Sequence, residues 1–195
     1  FRNTQSTETA VTVYEALLTA LVQSAAHAKN QNDVVIDLES HGRSSQIESP
    51  NISGTIGWFT SLYPVRFDRG NSTLIENLLT SVQERLKTIP NLGINYGVIR
   101  YLTDQGSTLE KSNTPRIGFN YLGQFDHDES AQKLLGPAPE SAGSSHSDDE
   151  DPIHQIEINS SLIDGTLHIS FAYDASTVSE QTIATMADDF ERALK

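Results

Sequence analysis

The carboxylate of Glu39 is the first group in the chain whose type and position suit acid–base chemistry. The residues before it, from Asp33 to Leu38, form an apolar, β-branched run that predicts a mostly buried strand. Glu39 ends that strand, and strand ends in layered α/β folds often face a functional site. A partly buried carboxylate there can have a raised pKa and act as a base or an acid. An ion pair with Arg43 or Arg66 is the structural alternative, and the residue types alone favour it.

Two more motifs follow Glu39 closely in the sequence. His41, Gly42 and Arg43 predict a tight turn, in which Gly42 supplies a positive φ or close packing and Arg43 fixes the loop by bidentate hydrogen bonds. A structural role is therefore preferred for these residues. The only tryptophan, Trp58, stands beside Phe59. Both could line a ligand channel, although aromatic residues are more often found in the core, and on chemistry alone the core is preferred.

Tyr121 is the next candidate, within the block 119–126 that reads F-N-Y-L-G-Q-F-D. Strand alternation puts Phe119 and Tyr121 on one face and Asn120 on the other. A phenol on a partly buried face needs a hydrogen-bond partner. A catalytic proton donor and a structural strut fit this requirement equally well.

Composition limits the functions that this chain can have. The 195 residues suit one domain with a real core, and a formal charge of −13 disfavours nucleic-acid partners, which need a basic face. Cysteine is absent, and the histidines are not spaced like local metal ligands, so no metal site is expected. No apolar run is long enough to span a membrane, so we expect no membrane partner and a cytoplasmic location. The N-terminus has neither a starting Met nor a signal-peptide pattern, and we expect it to be a cut end of something longer.

Apolar residues at helical spacing predict three long helices. The first covers about residues 9–28, the second opens with the capping box Thr73-x-x-Glu76 and stops at Pro90, and the third opens with Thr177-x-x-Glu180. A turn at 94–96, a short helix over 98–102 and a polar loop over 103–115 are expected between the second helix and the next strand.

Alternation and turn residues predict about five strands, at 33–39, 59–67, 116–122, 156–162 and 167–173. Pro64 indicates that the second is an edge strand or carries a bulge. The dipeptide Asp164-Gly165 predicts a hairpin between the last two. Its register would pair Ile156 with Tyr173, Ile158 with Phe171, and Leu162 with Leu167. A mobile acidic loop is expected over 127–152. The sum is an α/β lobe, a mixed sheet covered by helices.

Four ordered blocks are similar to signature motifs of the epimerization domains of non-ribosomal peptide synthetases, which belong to the condensation-domain superfamily. Residues 38–43 resemble the E-G-H-G-R block, with Ser40 for a glycine, and residues 55–64 match T-V-G-W-F-T-x-x-Y-P, with Ile56 for valine. Residues 90–97 resemble P-x-x-G-x-G-Y-G, and residues 119–126 match F-N-Y-L-G-Q-F-D in full. Condensation domains usually have an N-T-L-P type sequence at 58–64, so the resemblance favours epimerization.

This resemblance implies a chloramphenicol-acetyltransferase-like fold, built of two lobes with a tunnel between them. Residues 1–195 would form the C-terminal lobe. The N-terminal lobe would carry an H-H-x-x-x-D-G motif, which this sequence does not contain. The chain alone is therefore expected to be inactive.

The family reaction inverts the α-carbon of an aminoacyl or peptidyl thioester held on the phosphopantetheine of a peptidyl carrier protein. By resemblance, Glu39 is catalytic opposite the missing histidine, and Tyr121 lies near the reacting centre as a donor or enolate stabiliser. Trp58, Tyr96 and Asn120 would shape the substrate tunnel. No metal or directly bound cofactor is implied, and the partners would be the N-terminal lobe and the carrier protein.

Two other functions stay open. A condensation-type lobe would form a peptide bond, and would yield an amide product when two loaded carriers are supplied. A non-catalytic lobe would only dock the carrier or support its neighbours, and would add no solvent deuterium to the α-carbon.

Overall fold

The computed structural model describes residues 11–43, 52, 54–70, 74–110, 116–125, 140, 143 and 152–195. The acidic loop predicted over 127–152 therefore lies almost entirely outside the described residues. The helices are α1 Val13–Ala28, α2 Ile75–Lys87, α3 Ile94–Leu102, α4 Gly106–Glu110 and α5 Glu180–Leu194, with a 3-10 turn at Pro90–Gly93. The strands are β1 Asp33–Ser40, β2 Ser61–Asp68, β3 Ile117–Phe125, β4 Ile156–Ile163 and β5 Thr166–Tyr173.

The strands form one mixed sheet in the order β2-β1-β3-β4-β5. β1 and β3 are parallel, as are β3 and β4, while β2 and β5 run antiparallel to their neighbours. The predicted α/β class and five-stranded mixed sheet are confirmed. Pro64 lies on β2, an edge strand, as its missing N–H requires. The hairpin between β4 and β5 has the predicted register at every pair named above.

One face of the sheet packs against the helices and forms the core. Alternate residues of β1 point to this face. They are Val34, Ile36 and Leu38, and all three are buried. α1 lies in the middle of the helical layer and packs against both α2 and α5. It therefore needs apolar residues on more than one side, and its buried residues include Leu17, Leu18, Leu21 and Val22. Its N-terminus is closed by a capping box of Thr12 and Glu15.

The caps of the two later helices differ from the prediction. α5 begins after Ser179, whose hydroxyl accepts a hydrogen bond from the Thr182 amide. Thr177 is occupied elsewhere, because its hydroxyl donates to the carboxylate of Asp174 in the preceding turn. The N-cap position of α2 is Leu74, which makes no side-chain cap, and Thr73 lies outside the described residues.

The region between α2 and β3 is more helical than predicted. Asn95 and Tyr96 belong to the first turn of α3 rather than to a free turn, since Gly93, at φ 81°, makes the left-handed bend and α3 starts directly after it. A Cβ at Gly93 would lie 1.9 Å from the ring of Tyr63, so this bend also needs the absence of a side chain. The segment predicted as a polar loop contains α4.

Candidate active site at the end of β1

Glu39 lies at the C-terminal end of β1, on the sheet face opposite to the helical layer. Its neighbour Leu38 is fully buried on the core side, whereas the Glu39 residue is exposed. Asp37 shares the open face with Glu39, because alternate strand residues point to the same side. In the described part of the chain no long helix covers this face, so the carboxylate of Glu39 is open to a partner or a substrate.

Next to Glu39, a buried ion pair connects Asp37 of β1 with His154, which lies just before β4, on the far side of β3. His154 donates from Nε2 to Oδ2 of Asp37 over 2.9 Å, and both residues are only 6% exposed. The other ring nitrogen of His154, Nδ1, is 3.5 Å from Oε1 of Glu157 on β4. Gly118 of β3 makes room for the imidazole, since a Cβ there would lie 2.6 Å from Nδ1.

This arrangement raises two pKa values on the open face. The sheet around the exposed Glu39 residue still removes part of the water from its carboxyl, and this partial desolvation raises the pKa of that carboxyl. The negative charge of Glu157 raises this pKa further, and the positive charge of His154 partly opposes both effects. Burial alone would lower the pKa of His154, but its hydrogen bond to Asp37 and the charge of that carboxylate outweigh burial and raise it. A carboxylate with a raised pKa can accept and return a proton nearer to neutral pH than an ordinary glutamate.

Arg43 ties the loop after β1 to the segment before β2. Its guanidinium donates to the carbonyl oxygens of Ile52 at 2.8 Å, Thr55 at 2.9 Å and Gly57 at 3.1 Å. The same group stacks 4.3 Å above the ring of Phe59. His41 is bonded within the turn, because its Nδ1 accepts from the Arg43 amide over 3.0 Å. These contacts hold residues 52 and 54–59 beside the site, and Arg43 forms no ion pair with Glu39 among the described residues.

Gly42 allows the two segments to come together. Its φ is +64°, and a Cβ would lie 1.6 Å from the carbonyl oxygen of Phe59. Both the left-handed backbone and the close approach therefore require glycine at this position.

The preference for Trp58 as a core residue is wrong. Trp58 is 90% exposed, whereas Phe59 is partly covered by Arg43. Next to them a cleft of about 450 Å³ lies between the end of the sheet and α3. Its lining includes Asp37, Phe59, Leu62, Tyr96 and Arg100. Tyr96 thus lines the same cleft as Asp37, whereas Trp58 is not among its lining residues.

The two remaining candidates on β3 point to different sides. Asn120 shares the open face with Glu39, and its backbone carbonyl accepts from the Ser160 hydroxyl at 3.2 Å. Tyr121 lies on the helical face, where its ring is 6.5 Å from that of Tyr14 on α1. The structure therefore places Glu39 and Asn120 on the sheet face that also carries the cleft residue Asp37, and places Tyr121 on the opposite face.

The sequence pattern missed His154, which lies 117 residues from Asp37 in the chain. One signal could have found it. Gly118 stands inside an otherwise well-packed strand, and a glycine there indicates that another group approaches the backbone closely. No group of three or more His, Cys, Asp and Glu side chains in the described part of the chain is arranged to hold a metal ion.

Comparisons with known proteins show the family of the chain. The sequence model described as Condensation domain matches residues 2–195. The chain belongs to the condensation-domain family. Bacitracin synthase 3 of Bacillus licheniformis is 37% identical over 187 residues, which are 94% of this chain and 3% of that protein. Tyrocidine synthase 2 of Brevibacillus parabrevis is 35% identical over 182 residues, 92% of this chain and 5% of that protein.

A solved structure matches this condensation-family chain over a similar extent. The epimerization domain from the third module of tyrocidine synthetase B superposes with a TM-score of 0.82 and 34% sequence identity. The match covers 94% of this chain and 41% of that chain. This condensation-family chain therefore spans less than half of that solved structure and a few per cent of the two synthases named above. No helix in its described residues is both long and apolar enough to cross a membrane.

Proposed function

We propose that this chain is the C-terminal lobe of an epimerization domain, which inverts the α-carbon of an aminoacyl or peptidyl thioester on a carrier protein. The observation that carries the proposal is the carboxyl of Glu39, exposed at the end of β1 beside a cleft, with its pKa raised. The likeness to the tyrocidine synthetase epimerization domain supports the same reaction.

The chemistry explains why such a carboxyl is useful. A thioester acidifies the neighbouring α-hydrogen, but not enough for water to remove it at neutral pH. Inversion needs a group that takes the proton from one side of the α-carbon, a second group that returns one to the other side, and stabilisation of the enolate between these steps. Glu39 is proposed as one of the two proton-transfer groups. The other would be a histidine of the H-H-x-x-x-D-G motif, which this sequence lacks, so activity requires a second lobe.

The remaining candidates take supporting roles in this proposal. Tyr96 and Asn120 would line the path of the phosphopantetheine arm. Tyr96 lines the cleft, and Asn120 lies on the same face of the sheet as Glu39. Trp58 would close the path when the partner lobe or the carrier covers it, because it is too exposed to shape a tunnel without one. Tyr121 is proposed as a donor to the enolate. Its side chain lies on the face of β3 opposite to Glu39, so of these residues it is the one whose position supports its role least.

A second candidate function is peptide-bond formation. It is favoured by the family match itself, which is described as Condensation domain. Supplying two loaded carriers separates the functions, since condensation gives an amide product and epimerization gives only the inverted residue.

The test uses the intact domain with both lobes and a loaded carrier in deuterated solvent. Glu39→Gln should lower the incorporation of deuterium at the α-carbon by about 100-fold or more, the usual contribution of a positioned acid–base group. Glu191→Gln is the matched control, because that carboxylate is exposed on α5 and pairs with Lys195. Unchanged incorporation in Glu39→Gln would rule out this role.

A further inference from the structure

His154 and Asp37 form the most deeply buried ion pair in the described part of the chain. Neither residue belongs to the four sequence blocks that resemble the epimerization-domain motifs. A buried ion pair is not in itself a strong source of stability, because removing two charges from water offsets most of their attraction. The pair must therefore be judged by what lies next to it.

What lies next to it is Glu39. Asp37 precedes Glu39 by two residues on the same face of β1, so the carboxylate held by His154 and the proposed catalytic carboxyl share one stretch of backbone. His154 reaches Asp37 across β3, over Gly118, and thereby fixes the C-terminal half of β1 to the start of β4.

We propose that the His154–Asp37 pair positions Glu39 and sets the local charge against which Glu39 gains and loses its proton. His154 is thus a positioning residue that acts through β1, and it does not touch the substrate. This inference rests on the proposed function of Glu39 as a proton-transfer group.

The charges around Glu39 show why the histidine has this effect. Asp37 faces the same side from β1 and Glu157 does so from β4, and both are carboxylates. β3 contributes the neutral Asn120. Among the cations of the neighbouring segments, Arg43 binds loop carbonyls and Arg66 of β2 pairs with Asp33 at the far end of β1. Arg100 of α3 lines the cleft together with Asp37, and its guanidinium carbon lies 5.3 Å from the centre of the Tyr101 ring.

His154 is the cation that is hydrogen-bonded to Asp37, and its positive charge acts on the Glu39 carboxyl. Protonated, it neutralises Asp37 and favours the ionised form of Glu39. Without that charge, no imidazolium would oppose the carboxylates of Asp37 and Glu157, and the affinity of Glu39 for a proton would rise. The same imidazolium opposes the raised pKa of Glu39 in this structure.

The first test is a carboxyl-carbon NMR titration of Glu39 in the 195-residue chain. In the wild-type protein the Glu39 signal should show a second, smaller step at the pH where the imidazole of His154 titrates, because the two groups are coupled. His154→Gln keeps a donor near the Nε2 position but removes the charge, and the Glu39 pKa should then rise by about half a unit or more. The double variant Asp37→Asn/His154→Gln removes both charges and should return that pKa to near the wild-type value.

His168→Gln is the matched control. His168 is an exposed histidine on the same open face, but it lies on β5, three strands away from β1. Its removal should leave the Glu39 titration unchanged. A merely structural role for His154 predicts one step in the wild-type signal and the same Glu39 pKa in all variants, and that result would overturn the inference. The wild-type titration decides the matter even if His154→Gln does not fold.

The second test is the pH profile of α-proton exchange in the intact two-lobed domain. His154→Gln should move the limb that depends on Glu39 to higher pH, with the maximal rate changed less than its position. If Glu39→Gln leaves exchange unchanged, the proposed function fails, whatever the titration shows. If Glu39→Gln abolishes exchange while His154→Gln moves neither the titration nor the profile, only the present inference fails.

Discussion

The side chains of Glu39 and Tyr121 lie on opposite faces of the sheet, although their strands are neighbours. Leu38 is in register with Phe119, and both are buried under the helices. One residue further along β1, Glu39 points to the open face, whereas Tyr121 lies two residues beyond Phe119 and returns to the helical face beside Tyr14. The two residues proposed for the chemistry therefore point to different sides of the sheet.

Tyr121→Phe tests whether the phenol takes part in the reaction. Phenylalanine keeps the ring that packs near Tyr14 and Phe119, so the fold should be retained. If Tyr121 donates to the enolate, α-proton exchange in the intact domain should fall by about 10- to 100-fold. Exchange within twofold of wild type would assign Tyr121 to packing alone and leave Glu39 as the only proposed acid–base residue of this chain.

Local signals predicted the fold well where they involve neighbouring residues. Asp164 and Gly165 both adopt positive φ, at 48° and 74°, and that turn fixes the whole register of the β4–β5 hairpin. The residue that caps a helix was predicted less well, because a hydroxyl two residues away can take the place of the expected one, as Ser179 does for Thr177.

The site could be predicted only in part, for a physical reason. The position of Glu39 follows from the end of one strand, which is a local property of the sequence. The partner of Asp37 depends on strand order, which brings His154 across β3, and no spacing in the sequence encodes that contact. The exposure of Trp58 likewise depends on which surface is covered and not on residue type.

Arg43→Lys should loosen the segment that carries Trp58. Lysine keeps the positive charge but loses the planar fork that serves three carbonyl oxygens and stacks on Phe59. Because Trp58 is the only tryptophan, its fluorescence anisotropy reports on this segment alone. We expect lower anisotropy and faster proteolytic cleavage near residues 52–57. Arg66→Lys, on an exposed ion pair, is the control, and equal anisotropy in both variants would contradict the role of Arg43.

Gly118→Ala should destabilise the protein, because its Cβ would lie 2.6 Å from Nδ1 of His154. The imidazole cannot move away without losing its bond to Asp37, so we expect a loss of about 1–3 kcal/mol in the free energy of unfolding. Gly97→Ala is the matched control, since Gly97 lies within α3 with open space around it. That change should stabilise the helix by about 0.5–1 kcal/mol. Denaturant titration measures both, and equal effects would show that the space above Gly118 is not needed.

The free energy of unfolding should depend on pH through the protonation of His154. Its pKa is raised in the folded protein above the value of about 6.5 expected for the unfolded chain, so the folded state holds the proton more tightly. The stability that this supplies is complete below pH 6.5 and is lost as the pH rises through the folded pKa, with a slope of at most about 1.4 kcal/mol per pH unit. Urea unfolding between pH 6 and 9 should show this decline in the wild type. It should be absent in His154→Gln and preserved in His168→Gln. A decline of the same size in His154→Gln would mean that another group causes it.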